Sequence, residues 1–440
     1  MPTTDIEEVL ALAARQAEEA EVYSVRVEDT PVSFEANKLK ILQTRRISGL
    51  SLRLIKNGRV GFTASTKPEP AADLVDRALA VAEFGAEAKF SLPSSGVVRE
   101  VPGYDPLVEG LELDAMIELG QRLIEKLRAY NPAILCGASI GRYVSTMELL
   151  NSRGGSVGEH KTVLSASLGG NLIEGTSMLD VWESDASCLA SLDFDATVQR
   201  VIDQFEMAKT TGSLPTGELP VIFVPKAFAE TLLSPLIVAF NGKTVQQGAS
   251  PLKGRLGEQV FDPRLSIYDD GTLPYAPRSG PTDDEGVPSR RTPLVENGVA
   301  KNFYYDLQTA GLVGAESTGN GFRSLESLPG PSTTNTVVAE GDTSLADMIA
   351  DVKEGLIVYQ VMGAWAGNLL AGDFSANVHL GYKIENGQLA GRVKDTMIAG
   401  NVYEAFKERL QALGDKAEWV GGSTKLPPVY FRALSVATKQ

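Results

Sequence analysis

Histidine and cysteine, the residue types from which most zinc sites are built, are nearly absent from this sequence. Among 440 residues there are two histidines, His160 and His379, and two cysteines, Cys136 and Cys188. Two cysteines without a CxxC pair cannot make a disulfide framework, so both are expected to be reduced thiols. Each histidine stands alone in a strand-like segment, which favours one surface residue and one polar contact over a metal site shared between them.

The chain also lacks a lysine- or arginine-rich run and a long apolar run. Its 41 basic and 56 acidic residues give a net charge of −15, which repels a phosphate backbone, so no nucleic-acid partner is expected. No apolar run approaches the ~18 residues of a membrane span. The N-terminal segment has no basic region followed by an apolar core, unlike a signal peptide. We therefore expect a cytoplasmic protein with no membrane partner.

Helical and strand-like segments alternate along the chain in a way that predicts an α+β fold with three units. The first (1–92) is an N-terminal α+β domain of helices and hairpins, followed by a proline-containing linker (93–112). The second (113–212) runs helix, strands, helix, which predicts an antiparallel sheet with helices on one face. The third (217–437) is predicted to be a large, mainly antiparallel β domain.

Turn residues and periodicity predict several individual elements. Asn57-Gly58 between two apolar runs indicates a β-hairpin. In the third unit an apolar strand ends at Pro225 and a helix is expected at 226–243, interrupted by Pro235. A clear helix is also expected at 401–414.

The third unit carries ordered motifs of glycine, acid and arginine. They include LGEQV (256–260), DDEGVPSRR (283–291), LVENG (294–298), TGNG (318–321) and TTNTVV (333–338). In these motifs and their order the chain resembles the TldD/PmbA family, which is named as modulators of DNA gyrase and regarded as metallopeptidases. The resemblance is closest to the PmbA (TldE) branch.

The resemblance implies where a catalytic zinc would be held in this family. TldD-type subunits carry a His-Glu-x-x-x-His motif on the helix after the apolar strand, and a cysteine ligand near the C-terminus. Here the segment 226–243 contains no histidine, its apolar face is expected to pack, and both cysteines precede residue 189. No cofactor is therefore expected in this chain, and the zinc is expected in a TldD-type partner. No GxSxG motif supports a serine nucleophile either.

Eight polar residues of the motifs are candidates for a structural cluster or for contacts to a peptide or partner. The DDEGVPSRR acids and arginines could hold a substrate terminus or a metal-bound water, or form a satisfied acid–arginine cluster that fixes a loop. We favour the structural interpretation, because both family branches share the motif. TTNTVV could pair with an extended peptide or lie inside a sheet. The candidates are Asp283, Asp284, Glu285, Arg290, Arg291, Asn320, Arg323 and Asn335.

The resemblance therefore favours a non-catalytic subunit of a cytoplasmic TldD/TldE-type metallopeptidase that acts on peptides or unfolded segments. Its partner would be a TldD-type subunit with the HExxxH motif, or a second copy of this chain in isolation. Two alternatives remain: a stand-alone peptidase with an unrecognised site, and a homodimeric peptide-binding or regulatory protein. A glycine-rich apolar stretch (356–374) either contacts a second subunit or is buried in its own sheet; it includes Met362, Trp365, Leu369, Leu370 and Phe374.

Overall fold

The computed structural model describes residues 5–94, 98–175, 177–364 and 367–439. Its first half builds one antiparallel sheet packed by helices. The elements are α1 (Ile6–Ala13), β1 (Glu19–Glu35), β2 (Lys38–Leu42), β3 (Arg45–Lys56), β4 (Arg59–Ser65), α2 (Ala71–Ala82), α3 (Pro106–Glu109), α4 (Leu113–Tyr130), β5 (Leu135–Asn151), β6 (Ser156–Glu174), β7 (Ser177–Ser187) and α5 (Phe194–Met207).

Strand β1 joins the first two predicted units into this one sheet. The strand order is β4-β3-β1-β5-β6-β7, with β2 added to β1. β1 pairs with β5 continuously from Glu21–Asn151 to Phe34–Ala138. Strands of the units predicted at 1–92 and 113–212 are therefore hydrogen-bonded to each other in one sheet. The domain boundaries themselves stay a prediction. The intervening segment predicted as a linker contains the short helix α3.

Local sequence signals account for two of these elements. The hairpin between β3 and β4 turns at Asn57-Gly58, where both residues have positive φ (50° and 70°), as a two-residue turn of this type requires. Helix α1 begins after Asp5, whose carboxylate accepts a hydrogen bond from the Glu7 N–H at 2.9 Å. The predicted hairpin is confirmed.

The third unit is built mainly from short strands. Its elements are β8 (Gly217–Phe223), α6 (Pro225–Phe228), α7 (Ser234–Val238), α8 (Gly242–Gln246), β9 (Ile267–Asp270), β10 (Arg291–Glu296), β11 (Val299–Ala300), α9 (Leu307–Val313), β12 (Gly321–Phe322), β13 (Gly330–Pro331), β14 (Thr336–Val338), α10 (Leu345–Asp351), β15 (Glu354–Met362), β16 (Asp373–Glu385), β17 (Gln388–Arg392), β18 (Thr396–Asn401), α11 (Val402–Glu404), β19 (Leu410–Leu413), β20 (Glu418–Val420), β21 (Thr424–Leu426) and β22 (Val429–Thr438).

Two larger sheets organise these strands. One has the order β15-β8-β22-β18-β16-β17, and β16 also pairs with β15, so that five strands close a ring. The other has the order β11-β10-β9-β14-β21-β20. Among the pairings described in these two sheets, β15 with β8 and β14 with β21 are parallel and the others antiparallel. The predicted α+β fold with a large, mainly antiparallel C-terminal domain is confirmed.

The helix predicted at 226–243 is present but irregular. A π-helical turn at Ala229–Leu233 separates α6 from α7, which begins at Ser234. Pro235 lies at the start of α7; because proline has no N–H to donate, the interruption falls where the sequence predicts it.

The clear helix predicted at 401–414 is present only as far as Arg409, and the prediction is wrong for the residues after it. Only α11 and a π turn at Ala405–Arg409 are helical, and the chain then continues as β19. Leu410 and Leu413 pair with Phe431 and Val429 of β22, which satisfies their backbone groups in the sheet. Sheet pairing overrides the helical periodicity of this segment.

The apolar stretch 356–374 is partly buried and partly exposed to solvent. Its first part lies inside β15, between β8 and β16, and Phe374 is buried. Met362 and Leu370 are 55% and 37% exposed. Trp365, which the sequence placed in this stretch, lies outside the described residues.

Most of the buried apolar side chains form one cluster that extends from the first sheet into the third unit. It includes Phe34 and Val181 from the first half and Phe223, Phe240 and Phe431 from the second. A separate, smaller cluster lies between α1, α2, β1 and β3. In the part of the chain that the structure describes, no helix combines the length and apolar character needed to cross a membrane.

Candidate functional site

A cleft of about 810 Å³ lies at the start of helix α6, between the first sheet and the third unit. Strand β8 and the following helical segment are apolar, and Ala227, Phe228 and Leu232 are fully buried, which matches the packing face expected from the sequence. On the other side, Lys226 and Glu230 line the cleft. Their i, i+4 spacing in an otherwise apolar segment places them on one face.

Lys226 is held at the cleft wall by strand β7. Its Nζ donates to the backbone carbonyl of Trp182 and lies 3.4 Å from the centre of the Trp182 ring. The Glu183 carboxylate is 3.6 Å from the same Nζ. Burial lowers the pKa of Lys226, although Glu183 and Glu230 act in the opposite direction. The ammonium group is thus enclosed by an aromatic face and a carboxylate.

Hydrogen bonds within the first half, and from the third unit to it, fix the rest of this wall. Gln204 on α5 donates to Glu183 at 2.7 Å. Gln360 on β15 donates to the Trp182 carbonyl at 3.1 Å and to the Gln204 side chain at 3.3 Å. Burial raises the pKa of Glu230. The cleft is therefore a pre-formed space whose walls come from both halves of the chain.

The DDEGVPSRR acids lie elsewhere, in a buried network that fastens the third unit to the first sheet. Glu285 accepts from Arg53 Nη1 at 2.6 Å, and Arg53 Nη2 donates to Glu21 at 3.1 Å. Arg323 Nη2 lies 2.7 Å from the other Glu21 oxygen and donates to the Asp284 carbonyl at 2.5 Å. The side chains of Glu21, Glu285 and Arg323 are fully buried and that of Arg53 is 3% exposed.

Burial and pairing compete in this acid–arginine network. Burial acts to raise the pKa of Glu21, but the guanidiniums of Arg323 and Arg53 outweigh it and leave the pKa below its ordinary value. Burial raises the pKa of Glu285, and Arg53 only partly offsets this. Burial and the neighbouring Glu285 charge raise the pKa of Asp283 well above its ordinary value.

Asp283 and Asp284 hold the backbone of the neighbouring motif. Asp283 accepts from the N–H groups of Gly321, Glu285 and Val287 at 2.8–3.0 Å. Asp284 accepts from the Arg323 N–H at 2.9 Å. Carboxylates whose lone pairs are taken by backbone donors fix loop geometry, which agrees with the structural interpretation of the motif.

The arginines expected to pair with these acids are not the ones that do so. Arg290 donates to the backbone carbonyls of Thr318 (3.1 Å) and Ser317. Arg291 stacks over the ring of Tyr268 at 3.6 Å. Arg291 is the first residue of β10, so its side chain follows that strand and not the acidic loop. Pairing of Arg290 and Arg291 with the motif's acids is therefore wrong.

Asn320 and Asn335 belong to a third cluster, around Asp269 of β9. Asp269 accepts from Asn320 Nδ2 at 2.7 Å and from the Thr334 N–H and hydroxyl at 2.8 Å. Asn335 donates to the Asp270 carbonyl and to Ser279. Burial raises the pKa of Asp269 to about 6, against these hydrogen bonds. TTNTVV runs into β14, between β9 and β21, so it lies inside a sheet.

The two histidines are not brought together. His160 Nδ1 is 3.0 Å from the Thr146 hydroxyl on the first sheet. His379 Nε2 is 3.0 Å from the backbone carbonyl of Asp180. Among the residues that the structure describes, no three His, Cys, Asp or Glu side chains are grouped so that they could hold a metal ion. The zinc of a metallopeptidase does not fit the cleft, because no histidine or cysteine is among the described residues that line it.

Sequence reasoning missed Glu21 and Arg53 in the network, and Lys226 and Glu230 in the cleft. Alternation along β1 and β3 assigns Glu21 and Arg53 to a solvent face, but Glu285 and Arg323 of the third unit pair with them there. For Lys226 and Glu230 a signal was present, since two charges four residues apart interrupt an apolar helix.

Two family models match the chain. Residues 216–438 match the PmbA/TldA metallopeptidase C-terminal domain, and residues 20–82 match the PmbA/TldA metallopeptidase domain 1.

Individual relatives extend over nearly the whole chain. An uncharacterized protein of Methanocaldococcus jannaschii is 30% identical, with 92% of this chain and 94% of that protein covered. A metalloprotease of Methanothermobacter thermautotrophicus is 26% identical, with 92% and 88% covered. Among solved structures, TldE from Thermococcus kodakarensis superposes with a TM-score of 0.90 at 26% identity, covering 98% of this chain and 99% of that one.

Proposed function

Since this chain belongs to the PmbA/TldA metallopeptidase family, we propose that it is the non-catalytic, TldE-like subunit of a two-subunit peptidase. Its partner would be a TldD-type chain that supplies the zinc and cleaves peptides or unfolded segments in the cytoplasm. The observation that carries the proposal is Lys226, an ammonium group at the start of the helix on which the catalytic branch has its zinc ligands.

The exposed part of the apolar stretch supports a contact with a second subunit. Met362 ends β15 and Leu370 follows shortly after, and both side chains are partly exposed. Exposed apolar side chains beside glycines suit close packing against another chain. A specific contact would bury more than ~1,000 Å² in total.

The test is co-expression with the TldD-type chain of the same genome. We expect an equimolar complex by light scattering, one zinc in the partner by elemental analysis, and chelator-sensitive cleavage of casein by the complex only. The single variants Met362→Glu and Leu370→Glu should weaken the complex at least about tenfold, because a charge is buried without a partner. Phe84→Glu, at a side chain 88% exposed after α2, is the matched control and should assemble normally.

Three results would contradict the proposal. Stoichiometric zinc in the isolated chain, or chelator-sensitive cleavage by it, would favour a stand-alone peptidase. A homodimer or monomer that ignores the TldD-type chain would instead favour a peptide-binding or regulatory protein.

A further inference from the structure

The cleft beside Lys226 has the size and lining of a ligand site. Its volume of about 810 Å³ lies within the range of sites that enclose small ligands or a few residues of a peptide. Two of the chain's three tryptophans, Trp182 and Trp419, line the cleft. They are 42% and 38% exposed. Large aromatic side chains left partly exposed around a cavity are typical of binding surfaces.

The charges around this cleft are predominantly negative. The acids that line it are Glu183, Asp185, Asp203, Glu230, Asp415 and Glu418, and the bases are Arg200, Lys226 and Lys416. The net charge of −15 adds a longer-range attraction for cations. The summed charge of the lining thus favours a cation over an anion.

The wall around Lys226 illustrates how the cleft holds a cation. There an ammonium group rests on the Trp182 ring with the Glu183 carboxylate beside it. The cleft is also lined by a second tryptophan and two more acids: Trp419 follows Glu418 on β20, and Asp415 lies in the segment before that strand. Aromatic face plus carboxylate is an arrangement that binds lysine, arginine or a free amino group.

We propose that this cleft binds a cationic, partly apolar peptide segment, with a basic group of the peptide against Trp419, Asp415 and Glu418. The choice of a peptide as the ligand rests on the proposed function. Leu345, Met207 and Tyr359 provide apolar contacts for the neighbouring side chains. The non-catalytic subunit then selects substrates by charge and presents them to the partner.

The test uses the isolated full-length chain and two fluorescein-labelled nonapeptides, in which leucine alternates with lysine or with glutamate. Anisotropy should give a Kd for the lysine peptide at least about tenfold lower than for the glutamate peptide, and rising with salt. The variant Asp415→Asn with Glu418→Gln should weaken binding of the lysine peptide about tenfold, and Trp419→Ala similarly.

A matched control separates the cleft from general charge attraction. Glu118→Gln with Glu125→Gln, on the exposed face of α4, changes the net charge equally and should bind like the unmodified chain. Thermal melting checks that Trp419→Ala is folded, and the two isosteric substitutions keep the test valid if it is not. Absence of binding, equal binding of both peptides, or equal weakening by the cleft and control variants would overturn the inference.

These outcomes are independent of the subunit test. If the chain joins a TldD-type partner but binds neither peptide, only the cleft inference fails. If the lysine peptide binds in the cleft and no partner associates, the subunit proposal fails and the cleft remains.

Discussion

The variant Arg53→Met should lose roughly 3–5 kcal/mol of unfolding free energy. Arg53 is 3% exposed and neutralises both Glu285 and Glu21, which are fully buried. Methionine keeps most of the side-chain volume, so the loss is not due to a cavity. It arises because Glu21 and Glu285 remain in a low-dielectric interior with Arg323 as the remaining guanidinium of the network. Urea titration followed by circular dichroism measures the change.

Arg290→Met is the matched control for this prediction. Its guanidinium donates to two backbone carbonyls near the surface, so we expect a loss of only about 1 kcal/mol. In the double variant Arg53→Met with Glu285→Gln, the loss should be smaller than the sum of the two single losses, because the unpaired charge is removed. Equal losses for Arg53→Met and Arg290→Met would contradict the assigned role of the network.

The second large effect concerns pH and Asp269. Its pKa is raised from 3.8 to about 6 in the folded protein, so the folded state binds a proton that the unfolded state has already released. The stability from this group is full below about pH 4 and is lost as pH rises towards 6. Two pKa units correspond to roughly 3 kcal/mol.

The measurement compares the unmodified chain with Asp269→Asn at about pH 4 and pH 7. As the pH rises from 4 to 7, the unmodified chain should lose roughly 3 kcal/mol of unfolding free energy relative to Asp269→Asn, which has no carboxyl group to ionise at this position. Thr334→Val removes a hydroxyl that donates to Asp269 at 2.8 Å and should steepen the pH dependence, because that bond favours the ionised form. A difference that does not vary with pH would show that Asp269 does not titrate in this range.

Local patterns predicted those parts of the fold that depend on neighbouring residues. The Asn57-Gly58 turn is decided within a few residues, and its prediction was correct. The segment after Arg409 depends on β22 about 20 residues later, and helical periodicity gave the wrong answer there. Non-local sheet pairing carries no local signal.

The candidate residues also divide into features set by neighbouring residues and features set by distant parts of the chain. The DDEGVPSRR acids were candidates from the sequence, but Arg53, which pairs with Glu285, and Glu21, which pairs with Arg53, lie more than 200 residues earlier in the sequence. Proximity in sequence suggested Arg290 and Arg291 instead. Alternation along a strand does not show that a charged residue is buried when another part of the chain covers the strand's second face. Its burial becomes evident only when that covering layer is known.

Strand β8 also determines the order in which the C-terminal domain can form during synthesis. Its two neighbours in the sheet are β15 and β22, which follow about 130 and 200 residues later. At a translation rate of about 5–20 residues per second, β8 waits roughly 10–40 seconds for its second neighbour. Until β15 has been synthesised, the apolar segment around Val221, Ile222 and Phe223 has no neighbouring strand of its own sheet to pair with, so the adjoining first sheet or a chaperone must cover it.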